Sequence, residues 1–234
     1  MVLVHGAWHG SWAWERVLPL LSAAGVEAIA VDLPGHGSDR GPLGDLHGDA
    51  AWVRAELDRH DRVVLVGHSY GGAVITEAGD HPTVDRLVYV AAFPLRDDES
   101  CAHAASAEAA GIDHRGRPDL GAGFVHHADG TVTLDPGTAT ACLLSDCDPP
   151  TITWALGRLG PQPLNTLTQS PTTFAWRSKP STYVVCANDQ AIHPDLQRIL
   201  ARRCQAIIEW PTGHSPFLSE PQRVAELLGT LASS

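Results

Sequence analysis

The sequence predicts an α/β fold: a mostly parallel sheet of about six strands with helices on both faces. Short β-branched runs alternate with longer segments of helical periodicity. Strands that are separated by crossover helices run parallel within one sheet, and helices then cover that sheet on both sides. The chain has 234 residues, of which 44% are hydrophobic and 18% charged, which is enough apolar material for one domain with a large core.

The individual elements follow from composition and turn signals. The predicted strands are residues 2–5, 26–31, 63–66, 86–90, 182–187 and 206–210. The predicted helices are residues 49–59, 70–78, 194–201 and 222–231, together with one helix that follows Ser11. Ser11 is a candidate N-cap for that first helix, whereas Pro19 weakens it, since an interior proline removes a backbone hydrogen bond.

Residues 95–177 break this alternation and are predicted to form a helical lid insertion. The remaining residues, 1–94 and 178–234, are predicted to form the core. Within the insertion, residues 102–110 and 151–159 are the candidate helices. An insertion at the carboxyl end of a parallel strand lies over the edge where such sheets bind ligands. The alternative is a surface elaboration that takes no part in binding.

Charge and cysteine content exclude several classes of function. The net charge of −11 is unsuited to wrapping nucleic acid or an anionic membrane. We expect no signal peptide, and the sequence has no apolar run near 18 residues, so we expect a cytoplasmic protein without membrane spans. The five cysteines are an odd set without a C-x-x-C pair, which favours reduced thiols over disulfides or a zinc site.

The GHSYGG segment at residues 67–72 contains the candidate nucleophile, Ser69. A G-x-S-x-G string is informative when a buried strand precedes it and a helix follows, and both are predicted here. The sharp turn lifts the serine hydroxyl above the sheet edge, and glycines at both flanks avoid collisions. The helix N-terminus then directs free N–H groups at the site.

A serine hydroxyl becomes a good nucleophile only when a base removes its proton. The predicted base is His214, in the loop after the last strand, because the partners follow the serine in the order acid, then histidine. The predicted acid is Asp189, directly after the penultimate strand. Asp195 and Asp97 are the alternatives, although Asp195 has the position of a helix-start residue.

Attack of Ser69 on a carbonyl would require two backbone N–H groups to stabilise the oxyanion. One is predicted to be the N–H of Tyr70. The other is assigned to Ala7, in the loop after the first strand, with Trp8 as the alternative. His5 is expected to hold this loop by hydrogen bonding. The chemistry needs neither a metal nor an organic cofactor.

The chain resembles the α/β-hydrolase superfamily, in particular the small esterase group of plant methylesterases, hydroxynitrile lyases and their bacterial relatives. The similarity lies in residues 2–10, the DLPGHG segment at 32–37, the Ser69 turn, Asp189 and His214. It covers nearly the whole chain and is weakest from about residue 95 to 177. The resemblance implies the α/β-hydrolase fold and a carboxylic ester hydrolase.

Two positions distinguish the esterase and lyase branches of that group. The lyases carry a threonine just after the first histidine and a lysine just after the catalytic histidine. This chain has Gly6 and Ser215 at those positions, which favours an esterase. Related dehalogenases and epoxide hydrolases carry aspartate where this chain has Ser69.

The expected substrate is a small, largely apolar ester or lactone, because apolar side chains cluster near the predicted mouth. Trp8, Trp154 and Phe217 are the residues we expect to bind it. Further apolar candidates are Tyr70, Phe93, Phe124, Leu143 and Trp176. His126 and His127 are expected to be exposed.

Alternative functions are biosynthetic acyl transfer, thioester or C–C bond hydrolysis, hydroxynitrile-lyase-like chemistry and receptor-like ligand binding. We expect a monomer or a homodimer.

Overall fold

The computed structural model describes residues 1–233 and confirms the α/β fold. Its strands are β1 (Val2–Val4), β2 (Ile29–Val31), β3 (Val63–His68), β4 (Val84–Val90), β5 (Phe124–His126), β6 (Thr131–Leu134), β7 (Gln162–Pro163), β8 (Ser181–Cys186) and β9 (Ala206–Trp210). Six of them form one sheet in the order β2-β1-β3-β4-β8-β9. Every neighbouring pair in this sheet is parallel.

The helices cover both faces of the parallel sheet. They are α1 (Leu18–Ala23), α2 (Leu46–Leu57), α3 (Tyr70–Ala78), α4 (Cys101–Ala104), α5 (Pro136–Leu143), α6 (Pro149–Leu156), α7 (Leu164–Thr168), α8 (Pro194–Ala201), α9 (Pro216–Ser219) and α10 (Pro221–Ala232). Helices α3 and α8 have the predicted bounds. Helix α2 begins earlier than predicted, because the Asp45 side chain accepts a hydrogen bond from the Gly48 N–H and caps it.

The first helical region differs from the prediction. Ser11 does not cap a helix but begins a short 3-10 turn, Ser11–Trp14, and helix α1 starts only at Leu18. Pro19 therefore lies in the first turn of α1, where a proline removes no helical hydrogen bond. The next strand begins at Ile29 because the Val26 N–H donates to the Leu21 carbonyl and closes the helix end.

Residues 95–177, which we term the insertion, contain more than the predicted helices. Helix α6 corresponds to the predicted helix at 151–159, but the one expected at 102–110 is only the single turn α4. Strands β5, β6 and β7 form an antiparallel sheet that was not predicted. Its strands are two to four residues long, which is too short for alternation to be visible in the sequence.

The core is centred on β3 and α3. All but one residue of β3 and all but one of α3 are buried. Ser69 lies at their junction, at the carboxyl edge of the sheet. Within residues 1–233, no helix is both long and apolar enough to span a membrane. The five cysteines are free thiols, and four of them are buried.

Candidate active site

Ser69 lies in a strained turn between β3 and α3. Its φ of 51° and ψ of −120° are unusual for a residue with a side chain. The glycines around it are required by close backbone contacts. A Cβ at Gly67 would lie 2.5 Å from the Gly71 carbonyl oxygen, and one at Gly71 would lie 2.6 Å from the His5 oxygen. The GHSYGG segment therefore folds into the expected sharp turn.

Asp189 and His214 form a buried pair. The His214 Nδ1–H donates to Asp189 Oδ2 over 2.7 Å, and the two side chains are 2% and 0% exposed. Asp189 Oδ1 accepts hydrogen bonds from the Ala191 and Ile192 N–H groups, at 2.7 and 3.0 Å. Gln197 Nε2 donates to Oδ2 over 2.7 Å. The donation by Nδ1–H leaves the His214 Nε2 as a proton acceptor.

The alternative acids do not contact His214. Asp195 lies in the first turn of α8 and pairs with Arg198, and Asp97 pairs with Arg177. Both carboxylates are more than half exposed. Asp189 is therefore the carboxylate that orients the His214 ring.

Ser69 and His214 line the same cavity, which has a volume of about 140 Å³. The core contributes Ala7, Trp8, Tyr70, Phe93, Ala191 and Ile192 to its wall, and the insertion contributes Cys101, Ala102, Ala105, Leu120, Phe124, Leu143, Leu164, Leu167 and Thr168. No Asp, Glu, Lys or Arg lies among these lining residues. The insertion therefore covers the carboxyl edge of the sheet with an almost entirely apolar surface.

His68, which sequence reasoning missed, holds the His214 backbone in place. Its Nε2–H donates to the His214 carbonyl over 2.9 Å, and its side chain is fully buried. Burial, with the neighbouring histidines His214 and His9, lowers the pKa of His68 well below its usual range. The ring is therefore neutral. The contact joins residues 146 positions apart, so no local sequence signal reveals it.

His5 anchors the loop after β1, as expected. Its Nδ1–H donates to the Gly6 carbonyl over 2.8 Å, and its Nε2 accepts from the Leu33 N–H over 3.1 Å. Burial is the main cause that lowers the pKa of His5 to about 3, so the ring stays neutral. In a trans peptide the N–H points opposite to the C=O. Anchoring the Gly6 carbonyl therefore directs the Ala7 N–H away from His5.

The Trp8 N–H is engaged by the insertion. It donates to Gln162 Oε1 over 3.0 Å. Within residues 1–233, the N–H groups of Ala7 and Tyr70 have no hydrogen-bond acceptor. Of the two candidates in this loop, Ala7 thus carries the free donor.

The family described as "Alpha/beta hydrolase family" matches residues 1–227. The chain belongs to the alpha/beta hydrolase family.

Individual relatives match over nearly their full length. The chain is 28% identical to "Alpha/beta hydrolase nvfD" of Aspergillus novofumigatus (strain IBT 16806), covering 99% of this chain and 96% of the relative. It is also 28% identical to Methylesterase 9 of Arabidopsis thaliana, covering 99% and 97%. Among solved structures, a pyrethroid hydrolase from Sphingobium faniae JZ-2 superimposes with a TM-score of 0.83 at 24% identity, covering 100% and 96%. This structural likeness supports the fold.

Phe217 is not a pocket residue, contrary to the prediction. Its side chain is 0% exposed and packs 4.9 Å from the Trp14 ring and 4.7 Å from the His68 ring, centroid to centroid. It therefore belongs to the core beneath His68. Its position just after His214 suggested the cavity, but helix α9 turns its ring inward.

Trp154 also lies outside the cavity lining. Its ring packs edge-on against Trp12 at 5.3 Å and beneath the Arg158 guanidinium at 4.3 Å. Trp176 donates its indole N–H to the Leu95 carbonyl and does not line the cavity either. By contrast, Trp8 does line the cavity, as predicted.

The cavity is also lined by four other apolar candidates, Tyr70, Phe93, Phe124 and Leu143. His126 and His127 are exposed, as expected. Within residues 1–233, no three His, Cys, Asp or Glu residues are grouped as metal ligands.

Asp49 and Tyr70 form a second buried polar pair that sequence reasoning missed. The Tyr70 hydroxyl donates to Asp49 Oδ2 over 2.5 Å, while Asp49 Oδ1 has no partner among the described residues. Asp49 is fully buried, and this burial raises the pKa of its carboxyl to about 7. One indication of this pair was present in the sequence, namely an acidic residue on the side of α2 that faces the core.

Replacing Asp49 with asparagine is expected to remove a pH-dependent loss of stability. The folded protein keeps the Asp49 proton up to a pKa of about 7, whereas the unfolded chain releases it near 3.8. Wild-type stability should therefore fall relative to the variant as pH rises through this window, by about 4 kcal/mol. Urea unfolding of both proteins across that pH range measures the difference. If the stabilities of wild type and Asp49→Asn changed with pH in parallel, the raised pKa of Asp49 would be contradicted.

Proposed function

We propose that this protein is a carboxylic ester hydrolase that works through an acyl-enzyme, with Ser69 as nucleophile, His214 as base and Asp189 as orienting acid. One observation carries the proposal: a strained serine and a histidine oriented by a buried carboxylate face one apolar cavity. The relative named Methylesterase 9, which matches over nearly its full length, supports ester hydrolysis.

The reaction would proceed in two steps. His214 Nε2 takes the Ser69 proton as Oγ attacks the ester carbonyl, and the imidazolium then protonates the departing alcohol. The serine ester left behind is attacked by water, whose proton passes to His214 Nε2 and then to Ser69 Oγ. Asp189 stabilises the imidazolium during both steps. The N–H groups of Tyr70 and Ala7 receive the oxyanion in each tetrahedral intermediate.

The cavity favours uncharged esters with small apolar groups. No Asp, Glu, Lys or Arg lines it, so a charged substrate would lose its hydration without gaining a partner. Its volume of about 140 Å³ suits a compact substrate. We therefore expect a neutral ester to be hydrolysed faster than an ester of the same shape that carries a carboxylate.

The acyl-enzyme can be trapped directly. Brief exposure to p-nitrophenyl acetate, followed by acid quench and mass spectrometry, should show one added acetyl group on the Ser69 peptide. The His214→Ala variant should show far less of this adduct, because the base is missing. Acetylation of another residue at equal rate, with Ser69 unmodified, would refute the nucleophile.

Gly6→Ala is expected to lower ester turnover at least tenfold. An added Cβ would lie 2.7 Å from His68 Nδ1 and 3.0 Å from the Ser69 Cβ, so both would be displaced. Overpacking of this kind costs about 1–3 kcal/mol of stability. A threonine at this position, as in the hydroxynitrile lyases, would meet the same obstacle.

Esterase kinetics and thermal unfolding measure both effects. Gly229→Ala is the matched control, because an added Cβ there has nothing within 4 Å. An unchanged kcat in Gly6→Ala would contradict the expected loss of turnover, because the loop would then tolerate the displacement of His68 and Ser69.

A further inference from the structure

Gln162, on strand β7 of the insertion, contacts the loop that carries the Ala7 N–H. Its side chain is 0% exposed. Its Oε1 accepts from the Trp8 N–H over 3.0 Å and lies 2.9 Å from His36 Nε2. Its Nε2 donates to the Thr166 hydroxyl over 2.8 Å. Both ends of the amide are thus engaged, and the Trp8 N–H requires the oxygen to face the loop.

Trp8 has a backbone conformation that needs external support. Its φ of 63° lies in the left-handed region, which costs a residue with a side chain roughly 1–2 kcal/mol. Three hydrogen bonds hold it, and all three come from the insertion. Besides the bond to Gln162, the Gly160 N–H donates to the Trp8 carbonyl over 2.8 Å, and the indole N–H donates to the Val132 carbonyl over 3.1 Å.

These contacts determine the orientation of Ala7. The peptide between Ala7 and Trp8 is held at both ends, since the His9 Nδ1–H donates to the Ala7 carbonyl over 2.7 Å and Gln162 holds the N–H. The preceding peptide is anchored by His5 at the Gly6 carbonyl. With the peptides on both sides anchored, the free Ala7 N–H keeps one direction.

We propose that Gln162 is a positioning residue that fixes the oxyanion donor of Ala7 by holding the Trp8 peptide from the insertion. This inference rests on the proposed ester hydrolysis. It makes the insertion part of the catalytic geometry rather than only a wall of the substrate cavity.

Gln162→Leu tests the proposal by removing the acceptor of the Trp8 N–H while keeping side-chain volume. We expect kcat to fall about 10- to 100-fold, less than the loss of an oxyanion donor itself. KM should stay within about twofold, because the apolar cavity wall is unchanged. Affinity for a trifluoromethyl ketone, whose adduct with Ser69 carries an oxyanion, should fall with kcat/KM. The matching methyl ketone should bind as before.

Two further variants distinguish a positioning role of Gln162 from a general weakening of the contacts between the insertion and the core. Gln162→Glu should retain most activity, because its carboxyl group keeps an oxygen that accepts the Trp8 N–H, whether the group is neutral or paired with His36. This variant also keeps the test informative where Gln162→Leu folds poorly. Gln169→Leu is the matched control, because Gln169 ties the insertion to Leu46 and Asp45 of the core without contacting Trp8. Its kcat should stay within about twofold of wild type.

The outcomes separate the two proposals. Wild-type kcat in Gln162→Leu, with Ser69→Ala inactive, would overturn the role of Gln162 and leave the hydrolase intact. Equal losses of kcat in Gln162→Leu and Gln169→Leu would also overturn the role of Gln162. A rise in KM with unchanged kcat in Gln162→Leu would do the same. Ester turnover that is unaffected by Ser69→Ala would refute the proposed function itself, and the inference with it.

Discussion

Ser69→Ala is expected to lower kcat on a neutral short-chain ester by about 10³-fold or more, as loss of the nucleophile does in serine hydrolases. In the proposed mechanism the Ser69 hydroxyl forms the covalent bond with the substrate, so its removal takes away the attacking group. Alanine removes only the hydroxyl, so the turn and the cavity should persist. Steady-state kinetics on p-nitrophenyl esters measures the loss.

The control for this variant is Ser22→Ala, which removes an exposed hydroxyl from α1 and should leave kcat unchanged. Matching circular dichroism and thermal unfolding of both variants would show that the fold is intact. Activity of Ser69→Ala within tenfold of wild type would exclude the acyl-enzyme mechanism.

Asp189→Asn is expected to lower kcat by about 10⁴-fold, because it changes the tautomer of the base. The carboxylate now accepts the His214 Nδ1–H, which keeps Nε2 free to take a proton. An asparagine that presents its NH₂ group to Nδ1 would favour a proton on Nε2 instead, and the ring would lose its function as base. KM should change little, since Asp189 does not line the cavity.

Asp195→Asn and Asp97→Asn are the matched controls, because both remove a carboxylate that pairs with an arginine away from His214. Each should retain kcat within about twofold, since surface ion pairs contribute little. A large loss in Asp195→Asn together with an active Asp189→Asn would reverse the assignment of the acid.

The local sequence was sufficient to predict those parts of the site that depend on neighbouring residues. The order of strand, GHSYGG and helix requires the sharp turn at Ser69, because only glycine at positions 67 and 71 permits the backbone contacts found there. The fold class also followed from local alternation. The His214–Asp189 contact was predicted from strand order, since loops that follow parallel strands meet at one edge of the sheet.

The insertion shows where sequence reasoning failed and why. Its antiparallel sheet joins strands of two to four residues, whose pairing depends on distant partners. Trp154 and Phe217 were assigned to the cavity from their chain positions, but the rotation of α6 and α9 directs their rings elsewhere. Chain position places a residue near a site, whereas packing decides which way its side chain points.

The sequence by itself determined the fold class, the serine turn and the identity of the residues proposed for catalysis, because these depend on local conformation and strand order. Only the tertiary structure decided between Ala7 and Trp8 as the free donor, placed His68 on the His214 carbonyl and brought Gln162 to the Trp8 N–H. Each of those contacts joins residues more than 140 positions apart. Such hydrogen bonds form between groups that folding buries together, so they leave no pattern in the neighbouring sequence.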